Sequence, residues 1–242
     1  MALQQQMVAE GNVLFRYRGV LPLLIVIPAV LLRLFSLPDS WMLPQLYLIT
    51  VAAYVIAFAG LVLRFIVVGF APLRTSGRNT AEQIADSLSS TGMYSIVRHP
   101  LYVGNFLMWL GAAILTYNSW FIGLFILVYW LYYERIMLAE EDYLRVKFGE
   151  AYETWAGSRP AFIPAFSKWV PYQQSFRFYK ALYQEKTGFL WLNLIFWAFT
   201  AIPFDQMENS ISLHNPWALL LGFSIILYLL LKLTKRKTPL SA

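Results

Sequence analysis

The chain has 242 residues, of which 59% are hydrophobic and 13% are charged, and its mean hydropathy is +0.54. Soluble domains average about 45–50% apolar and about 25% charged residues, so this composition excludes an ordinary soluble protein. The net charge of +6 comes from basic residues that flank apolar runs, which indicates a membrane surface and no nucleic-acid partner. The absence of cysteine excludes disulfides, thiolate metal sites and a cysteine nucleophile, and no metal site is predicted.

Apolar runs long enough to cross a bilayer, which takes about 20 residues, recur along the chain. They predict an all-α, polytopic transmembrane bundle of about six spans that forms a single domain, 1–242. The predicted spans are about 19–37, 45–70, 100–117, 120–133, 188–204 and 216–231. Residues 1–18 are predicted as a polar lead-in that carries Arg16 and Arg18.

Two helical segments are predicted outside the apolar runs. Asn118 and Ser119 form a tight turn after the third span, and the fourth helix continues as a charged helix through Phe148. Further on, aromatic residues recur at helical spacing opposite a polar face, which predicts a helix lying in the membrane interface. Its aromatic face comprises Tyr172, Phe176, Tyr179 and Tyr183.

The distribution of basic residues predicts the orientation. With six spans, all 19 Lys and Arg residues except Arg33 and Arg64 fall on one side of the membrane. The positive-inside rule makes that side cytoplasmic, so both chain ends are predicted on the cytoplasmic side of a bacterial inner membrane or an endoplasmic-reticulum-type membrane. Arg33 and Arg64 lie near span ends and are expected to snorkel to the interface.

The stretch from Thr91 to Gly104 places an arginine, a histidine and a proline before an apolar run. Pro100 has a preset φ and no N–H, so it suits the first turn of a helix. Arg98 and His99 are thereby held at the membrane surface, beside free N–H groups and the positive end of the helix dipole. This arrangement suits an anionic group, and it is equally compatible with an interfacial anchor and a helix cap.

A second stretch, from Glu134 to Gly149, carries two adjacent glutamates on the predicted charged helix. Glu141 precedes Arg145 by four residues, the favourable order for an exposed ion pair. Glu140 has only apolar neighbours at that spacing, and a carboxylate there is costly unless it meets a cation or several donors. Glu140 therefore either pairs with Arg135 or Arg98 to fasten the helix, or holds an amine or ribose hydroxyls of a ligand.

Further residues extend these two stretches into one ordered pattern. Its members are Gly92-Met93-Tyr94, Arg98-His99-Pro100-Leu101-Tyr102-Val103-Gly104, Glu140-Glu141, Leu144, Phe148-Gly149, Tyr152 and Ile163-Pro164. Over residues 92–164 the pattern resembles the isoprenylcysteine carboxyl methyltransferase family, which also includes membrane phospholipid methyltransferases. The resemblance makes 92–164 the core of the domain and 188–231 two additional C-terminal spans. It implies an S-adenosylmethionine (SAM) site built from membrane helices and cytoplasmic loops, and no G-x-G-x-x-G suggests a Rossmann domain instead.

The resemblance also assigns roles to individual residues. Those that match the family's cofactor contacts are Tyr94, His99, Pro100, Leu101, Tyr102 and Glu140. Arg98 and His99 are the predicted catalytic residues, with Arg98 orienting the acceptor and His99 hydrogen-bonding the cofactor. Prenylcysteine enzymes of the family carry a substrate arginine one turn before the glutamates; here Ile136 holds that position and Arg135 points about 100° away. Arg98 and Arg135 are therefore the candidate substrate residues.

The implied reaction is methyl transfer from SAM to an oxygen, nitrogen or sulfur of an amphiphile that enters laterally between helices. The candidate acceptors are a lipid phosphate (including a lipid A phosphate), a phospholipid amine, a prenylcysteine carboxylate and a small thiol. A carboxylate or phosphate needs no general base at neutral pH, so alignment and desolvation would provide most of the catalysis.

Two other classes stay open at this point. One is a sterol-reductase-like enzyme, which has a related membrane architecture and uses NADPH, although nothing here resembles a pocket for the extra phosphate. The other is a small transporter or scaffold without enzymatic activity. A translocation path usually needs several polar residues within the spans, and Asn105 and Asn193 are the clearest here.

Overall fold

The computed structural model describes residues 3–19, 21–72, 85–201 and 216–234. The basic stretch from Arg74 to Thr80, and His214, to which the sequence assigns no role, lie outside these residues. The described ranges contain nine α-helices and no β-strand. The helices are α1 (Leu3–Tyr17), α2 (Leu21–Phe35), α3 (Leu46–Phe70), α4 (Met93–Ile96), α5 (Pro100–Ile114), α6 (Ser119–Phe148), α7 (Glu150–Gly157), α8 (Phe178–Ala201) and α9 (Trp217–Thr234).

The helices form a transmembrane bundle, as the composition predicts. Three of them are long and apolar enough to cross a membrane: α3 together with the turn before it, α6 and α9. Shorter apolar helices cover Ile25–Phe35, within α2, and Pro100–Ile114, which is α5. The predicted all-α membrane fold is therefore confirmed, and so is the continuation of the fourth span to Phe148 within one 30-residue helix.

The turn between α5 and α6 is tight, as predicted. Tyr117 adopts a positive φ of 51°, and the Asn118 side chain accepts a hydrogen bond of 2.9 Å from the Phe121 amide to cap α6. The loop after α2 lies beside this turn, because the Asp39 carboxylate accepts from the Ser119 amide at 2.9 Å. From Ser119 to Glu140, α6 rises about 32 Å, close to the hydrocarbon thickness of about 30 Å. The glutamates therefore lie one bilayer thickness from the turn.

Small residues bring α3 and α5 into close contact. A Cβ atom added at Gly60 would lie 2.5 Å from the Gly104 carbonyl oxygen, and one at Gly111 would lie 2.5 Å from the Ala53 carbonyl oxygen. Helices in membranes associate through such small residues because close backbone approach maximises van der Waals contact. This packing fixes the start of α5, which carries the arginine–histidine–proline turn, against α3.

Within the segment predicted as a polar lead-in, residues 3–17 form α1, which packs lengthwise on α6. A Cβ atom at Gly11 would collide with the Arg135 carbonyl oxygen, and Phe15 is buried in the main core. The Tyr132 hydroxyl donates to the Leu14 carbonyl at 3.1 Å. An apolar stripe this narrow gives only a weak signal in the sequence. It is nevertheless sufficient to hold a helix that packs against another helix.

The predicted interfacial helix is wrong in its first half. Tyr172 and Phe176 lie in irregular chain, where the Tyr172 ring stacks on Phe70 with centroids 3.6 Å apart and Phe176 covers Gly69. The helix begins only at Phe178 and continues without a break into the predicted fifth span. The aromatic spacing that suggested a helix thus reflects packing onto the end of α3.

The two span arginines do not snorkel. Arg64 Nε and Nη2 donate to the Glu185 carboxylate at 3.0 and 2.7 Å, and its Nη1 donates to Asn105 Oδ1 at 2.7 Å. Arg33 is only 7% exposed and its Nε donates to the Phe199 carbonyl at 2.9 Å. Both arginines therefore take their hydrogen bonds from residues of α5 and α8 within the protein, and neither depends on the membrane interface for them.

Candidate active site

The arginine–histidine–proline turn begins with a glycine that the backbone requires. Gly92 has φ 59° and ψ −130°, a region that only glycine populates readily, and a Cβ atom there would collide with the Tyr172 ring. One turn of helix, α4, follows, and Val97 then returns to an extended conformation. Pro100 is the first residue of α5 and His99 stands at its N-cap position, which confirms the predicted helix start.

An irregular strap, residues 158–177, holds this turn from outside. The amides of Arg98 and His99 donate to the carbonyls of Pro160 at 2.9 Å and Ala161 at 3.2 Å. Farther along, the Ala165 amide donates to the Ile96 carbonyl at 2.9 Å. Because these bonds involve only the backbone, the position of the turn does not depend on its functional side chains.

Glu141 of α6 lies against the turn, contrary to the predicted exposed pair with Arg145. Its Oε1 lies 2.9 Å from His99 Nε2 and its Oε2 lies 3.3 Å from Arg98 Nη1. Arg145 instead contacts Glu153 of α7 and lies 3.8 Å from Asp142. The i to i+4 rule fails here because the docked turn offers Glu141 two partners, the buried His99 and the partly buried Arg98.

Glu140 lies beside Glu141 and has looser contacts. Its Oε1 accepts a 2.6 Å hydrogen bond from the Tyr102 hydroxyl, and its Oε2 lies 3.6 Å from His99 Nδ1. Arg18, at the end of α1, approaches Oε1 at 3.7 Å. The Glu140 side chain is 25% exposed against 11% for Glu141, so it retains hydrogen-bonding capacity on an accessible side. Neither Arg135 nor Arg98, the cations that the sequence suggested as structural partners, makes a salt bridge with it in the described residues.

The two carboxylates determine the protonation of His99. Burial lowers the pKa of the imidazole, but hydrogen bonds and charges from Glu140 and Glu141 outweigh it and raise the pKa above its ordinary value. His99 Nε2 lies 2.9 Å from Glu141 and Nδ1 lies 3.6 Å from Glu140, so both ring nitrogens face carboxylate oxygens. Carboxylates only accept hydrogen bonds, and this arrangement favours the protonated form of His99.

The remaining predicted cofactor residues surround this cluster. Pro100 and Tyr102 are buried at the start of α5, and Leu101 is partly buried between them. Tyr94 of α4 packs onto a small second core whose members are Leu88, Leu144, Phe148, Tyr152, Trp155 and Ala156. Burial raises the pKa of the Tyr94 hydroxyl, and the charge of Glu140 raises it further, so Tyr94 is a neutral donor at the site.

Two further arginines, Arg135 and Arg18, lie at the contact between α1 and α6. The Arg135 Nε lies 3.1 Å from Glu10 of α1, and its predicted role toward a substrate stays a prediction. Arg18 was not predicted as a site residue, because α1 was not predicted as a helix. The only sequence signal for it is the spacing of Gly11, Phe15 and Arg18 on one helical face.

Residues 48–151 match the phospholipid methyltransferase family. The matched residues make up less than half of the chain. A protein-S-isoprenylcysteine O-methyltransferase of Schizosaccharomyces pombe (strain 972 / ATCC 24843) is 40% identical over 77 residues, 32% of this chain and 33% of the yeast protein. The matched residues contain the arginine–histidine–proline turn, both glutamates and all but the first two residues of α3, so the resemblance predicted from the sequence is confirmed.

Two bacterial proteins match the chain over segments of similar length to the yeast match. The nickel-cobalt-cadmium resistance protein NccN of Alcaligenes xylosoxydans xylosoxydans is 35% identical over 95 residues, 39% of this chain and 42% of that protein. The cobalt-zinc-cadmium resistance protein CzcN of Cupriavidus metallidurans is 35% identical over 82 residues, 34% of this chain and 38% of that protein. The chain thus spans well under half the length of the curated relatives it matches. No solved structure matches it.

Proposed function

We propose that the chain is an S-adenosylmethionine-dependent methyltransferase that acts on a membrane-resident lipid or lipidated acceptor. The observation that carries the proposal is the meeting of the two sequence stretches. His99 at the start of α5 lies between Glu140 and Glu141 of α6, 2.9 Å from the latter. The match of residues 48–151 to the phospholipid methyltransferase family supports the reaction class, and the apolar surroundings support an acceptor that resides in the bilayer.

The side chains present fit SAM. Its sulfonium, when bound, supplies an electrophilic methyl carbon. Glu140 provides a partly exposed carboxylate for the cofactor's amine or ribose hydroxyls, and Tyr102 fixes that carboxylate by donating to it at 2.6 Å. The aromatic rings of Tyr94 and Tyr102 are suited to a neighbouring cation. His99, Pro100 and Leu101 complete the wall from the first turn of α5.

Arg98 is the residue best placed to orient an anionic acceptor. Its Nη1 lies 3.3 Å from Glu141, whereas its Nε is buried without a hydrogen-bond partner among the described residues. A buried N–H without a partner is costly, and an acceptor oxygen would satisfy it. A phosphate or a carboxylate is already ionised at neutral pH, so Arg98 needs only to align it and exclude water.

Equilibrium binding to the detergent-purified protein tests the proposal. We expect saturable binding of labelled SAM, no binding of NADPH, and transfer of the labelled methyl group into lipids extracted from the host. Glu140→Gln serves as the site control and should weaken SAM binding by about 1.5–3 kcal/mol, the range for a hydrogen bond to a charged group. Binding of NADPH instead would favour a reductase, and binding of neither would favour a transporter or scaffold.

The proposal places the site on the cytoplasmic side, where the basic residues gather. Both chain ends would then be cytoplasmic, in a bacterial inner membrane or an endoplasmic-reticulum-type membrane. Single cysteines introduced at Ser210 and at Ser241 provide the measurement, since the chain contains no cysteine of its own. An impermeant thiol reagent applied to intact cells should label only position 210. Labelling at position 241 alone would reverse the orientation.

A further inference from the structure

A buried lysine of α8 lies near α9, outside the matched residues 48–151. Lys186 is 7% exposed; its ammonium donates to the Tyr183 carbonyl at 3.2 Å and lies 3.1 Å from the centroid of the Tyr183 ring. Its acidic neighbour in the chain, Glu185, binds Arg64 instead. Lys186 therefore has no carboxylate partner among the described residues, although a buried charge usually requires one.

A second lysine approaches the same part of the structure from α9. The Nζ atoms of Lys186 and Lys232 each lie 5.9 Å from the centroid of the Tyr228 ring. That distance is near the limit of a cation–π contact, so the ring compensates the two charges only weakly. Lys232 is exposed and makes no salt bridge in the part of the chain that the structure describes. An anion bound beside both ammonium groups would remove their mutual repulsion.

The two lysines lie at the end of the bundle that carries the arginine–histidine–proline turn. Lys186 comes just before one predicted span and Lys232 just after the next, which is the level of the lipid headgroups. Arg64, bound to Glu185, also binds Asn105 in the second turn of α5, so this end of α8 lies beside the start of α5. Interfacial anchoring explains Lys232, but Lys186 is too buried for a lysine that snorkels into water.

An apolar surface lies directly below the lysines. The rings of Phe189 and Phe223 pack with their centroids 6.2 Å apart, and Phe223 is 57% exposed. Phe189 lies about 4.5 Å deeper along α8 than Lys186, and Phe223 about 7.5 Å deeper along α9 than Tyr228. Only one residue of α9 is buried, so this face is on the outside of the bundle. Acyl chains fit against such a surface, whereas a soluble phosphate would leave it without a partner.

We propose that Lys186 and Lys232 bind the phosphate of an anionic phospholipid, whose acyl chains lie along α8 and α9. Basic residues between transmembrane helices recognise anionic headgroups in this way. The phosphate oxygens accept charge-assisted hydrogen bonds from both ammonium groups. Two cations favour a headgroup with net negative charge over a zwitterionic one. The inference goes beyond the proposed function and does not depend on it, because it uses no residue of the candidate active site.

Native mass spectrometry of the full chain, released from a neutral detergent, tests the proposal. The probes are phosphatidylglycerol and phosphatidylcholine with identical acyl chains, and glycerol 3-phosphate as a soluble phosphate. Wild-type protein should prefer phosphatidylglycerol by about fivefold or more and should not retain glycerol 3-phosphate. Lys186→Met should weaken phosphatidylglycerol binding by about tenfold and Lys232→Met by about fivefold, with phosphatidylcholine binding unchanged. Lys147→Met, at an exposed lysine 5.7 Å from the Tyr143 ring, is the matched control and should keep the wild-type preference.

The preference between the two lipids is the decisive readout. Equal binding of both lipids by wild-type protein, or an unchanged preference in Lys186→Met and Lys232→Met, overturns the inference. Retention of glycerol 3-phosphate as tight as that of phosphatidylglycerol overturns the assignment to a lipid. Lys232→Met changes an exposed side chain, so it tests the site even where Lys186→Met does not fold. Lys186→Arg keeps the positive charge and should keep the preference, which separates the charge from a packing role.

Discussion

Replacing Glu141 with glutamine is expected to destabilise the protein by about 2–3 kcal/mol, because two cations lose a charged partner at once. Glu141 has an 11% exposed side chain and contacts both His99 and Arg98. Glutamine keeps one acceptor oxygen but removes the charge that compensates the buried imidazole and the partly buried guanidinium. Thermal unfolding in detergent measures the loss. Glu153→Gln, at the exposed pair with Arg145, is the matched control and should cost less than about 1 kcal/mol.

The same variant should change the titration of His99. Its pKa is raised in the folded protein, so the charged imidazole contributes stability that is fully present below the unfolded value of 6.5 and is lost as pH rises through the folded value. Without Glu141 the pKa should fall, and the stability lost by the variant should be larger at low pH than at high pH. NMR of a His214→Gln background, which leaves one histidine, measures the pKa directly. An unchanged pKa would contradict the assigned ion pair.

The sequence predicted correctly those features that depend on local signals. Proline at the start of α5, the turn at Asn118 and Ser119, and the apolar length of α3 and α6 each act within a few residues or one helix. The charged extension of α6 followed from its uninterrupted helix-forming residues. These signals were sufficient to place the arginine–histidine–proline turn and the glutamates at the same end of the hairpin that α5 and α6 form.

The partner of Glu141 could not be predicted in this way. The helix rule weighed only neighbours on α6 and selected Arg145, worth a few tenths of a kcal/mol at an exposed site. His99 and Arg98, about forty positions earlier in the chain, displace that partner because a buried charge gains far more from a cation than an exposed one does. Tertiary contacts therefore decided which glutamate is the more buried of the two.

A partly buried cluster around Arg64 links α3 and α5 to α8. Arg64 of α3 binds Glu185 of α8 through two hydrogen bonds and Asn105 of α5 through a third. An arginine within an apolar helix predicts an interface anchor when only its own span is considered. The acidic partner lies 121 positions later, just after the helix predicted as interfacial, and only the folded bundle brings the two residues together. Thus α8 is fastened to the core by charge as well as by apolar packing.

Substitution of Arg98 by lysine is expected to lower turnover by about 10- to 100-fold while leaving cofactor affinity nearly unchanged. Lysine keeps the charge near Glu141 but loses the planar fork, including the buried Nε that has no partner among the described residues. The backbone of the turn should not move, because the Arg98 amide is bonded to the Pro160 carbonyl. Titration with S-adenosylhomocysteine and the rate of methyl transfer, measured on the same preparation, separate the two quantities.

Arg145→Lys provides the control, since it is the same substitution at an exposed pair remote from the turn, and it should leave both quantities at wild-type values. A parallel loss of affinity and rate in Arg98→Lys would mean that Arg98 binds the cofactor instead of the acceptor. Wild-type values in both would reduce Arg98 to an interfacial anchor, because lysine reaches the membrane surface equally well. A loss confined to turnover, with the acceptor's KM raised, is the result that assigns Arg98 to an anionic acceptor, since the cofactor would still bind beside a reactant that is no longer aligned.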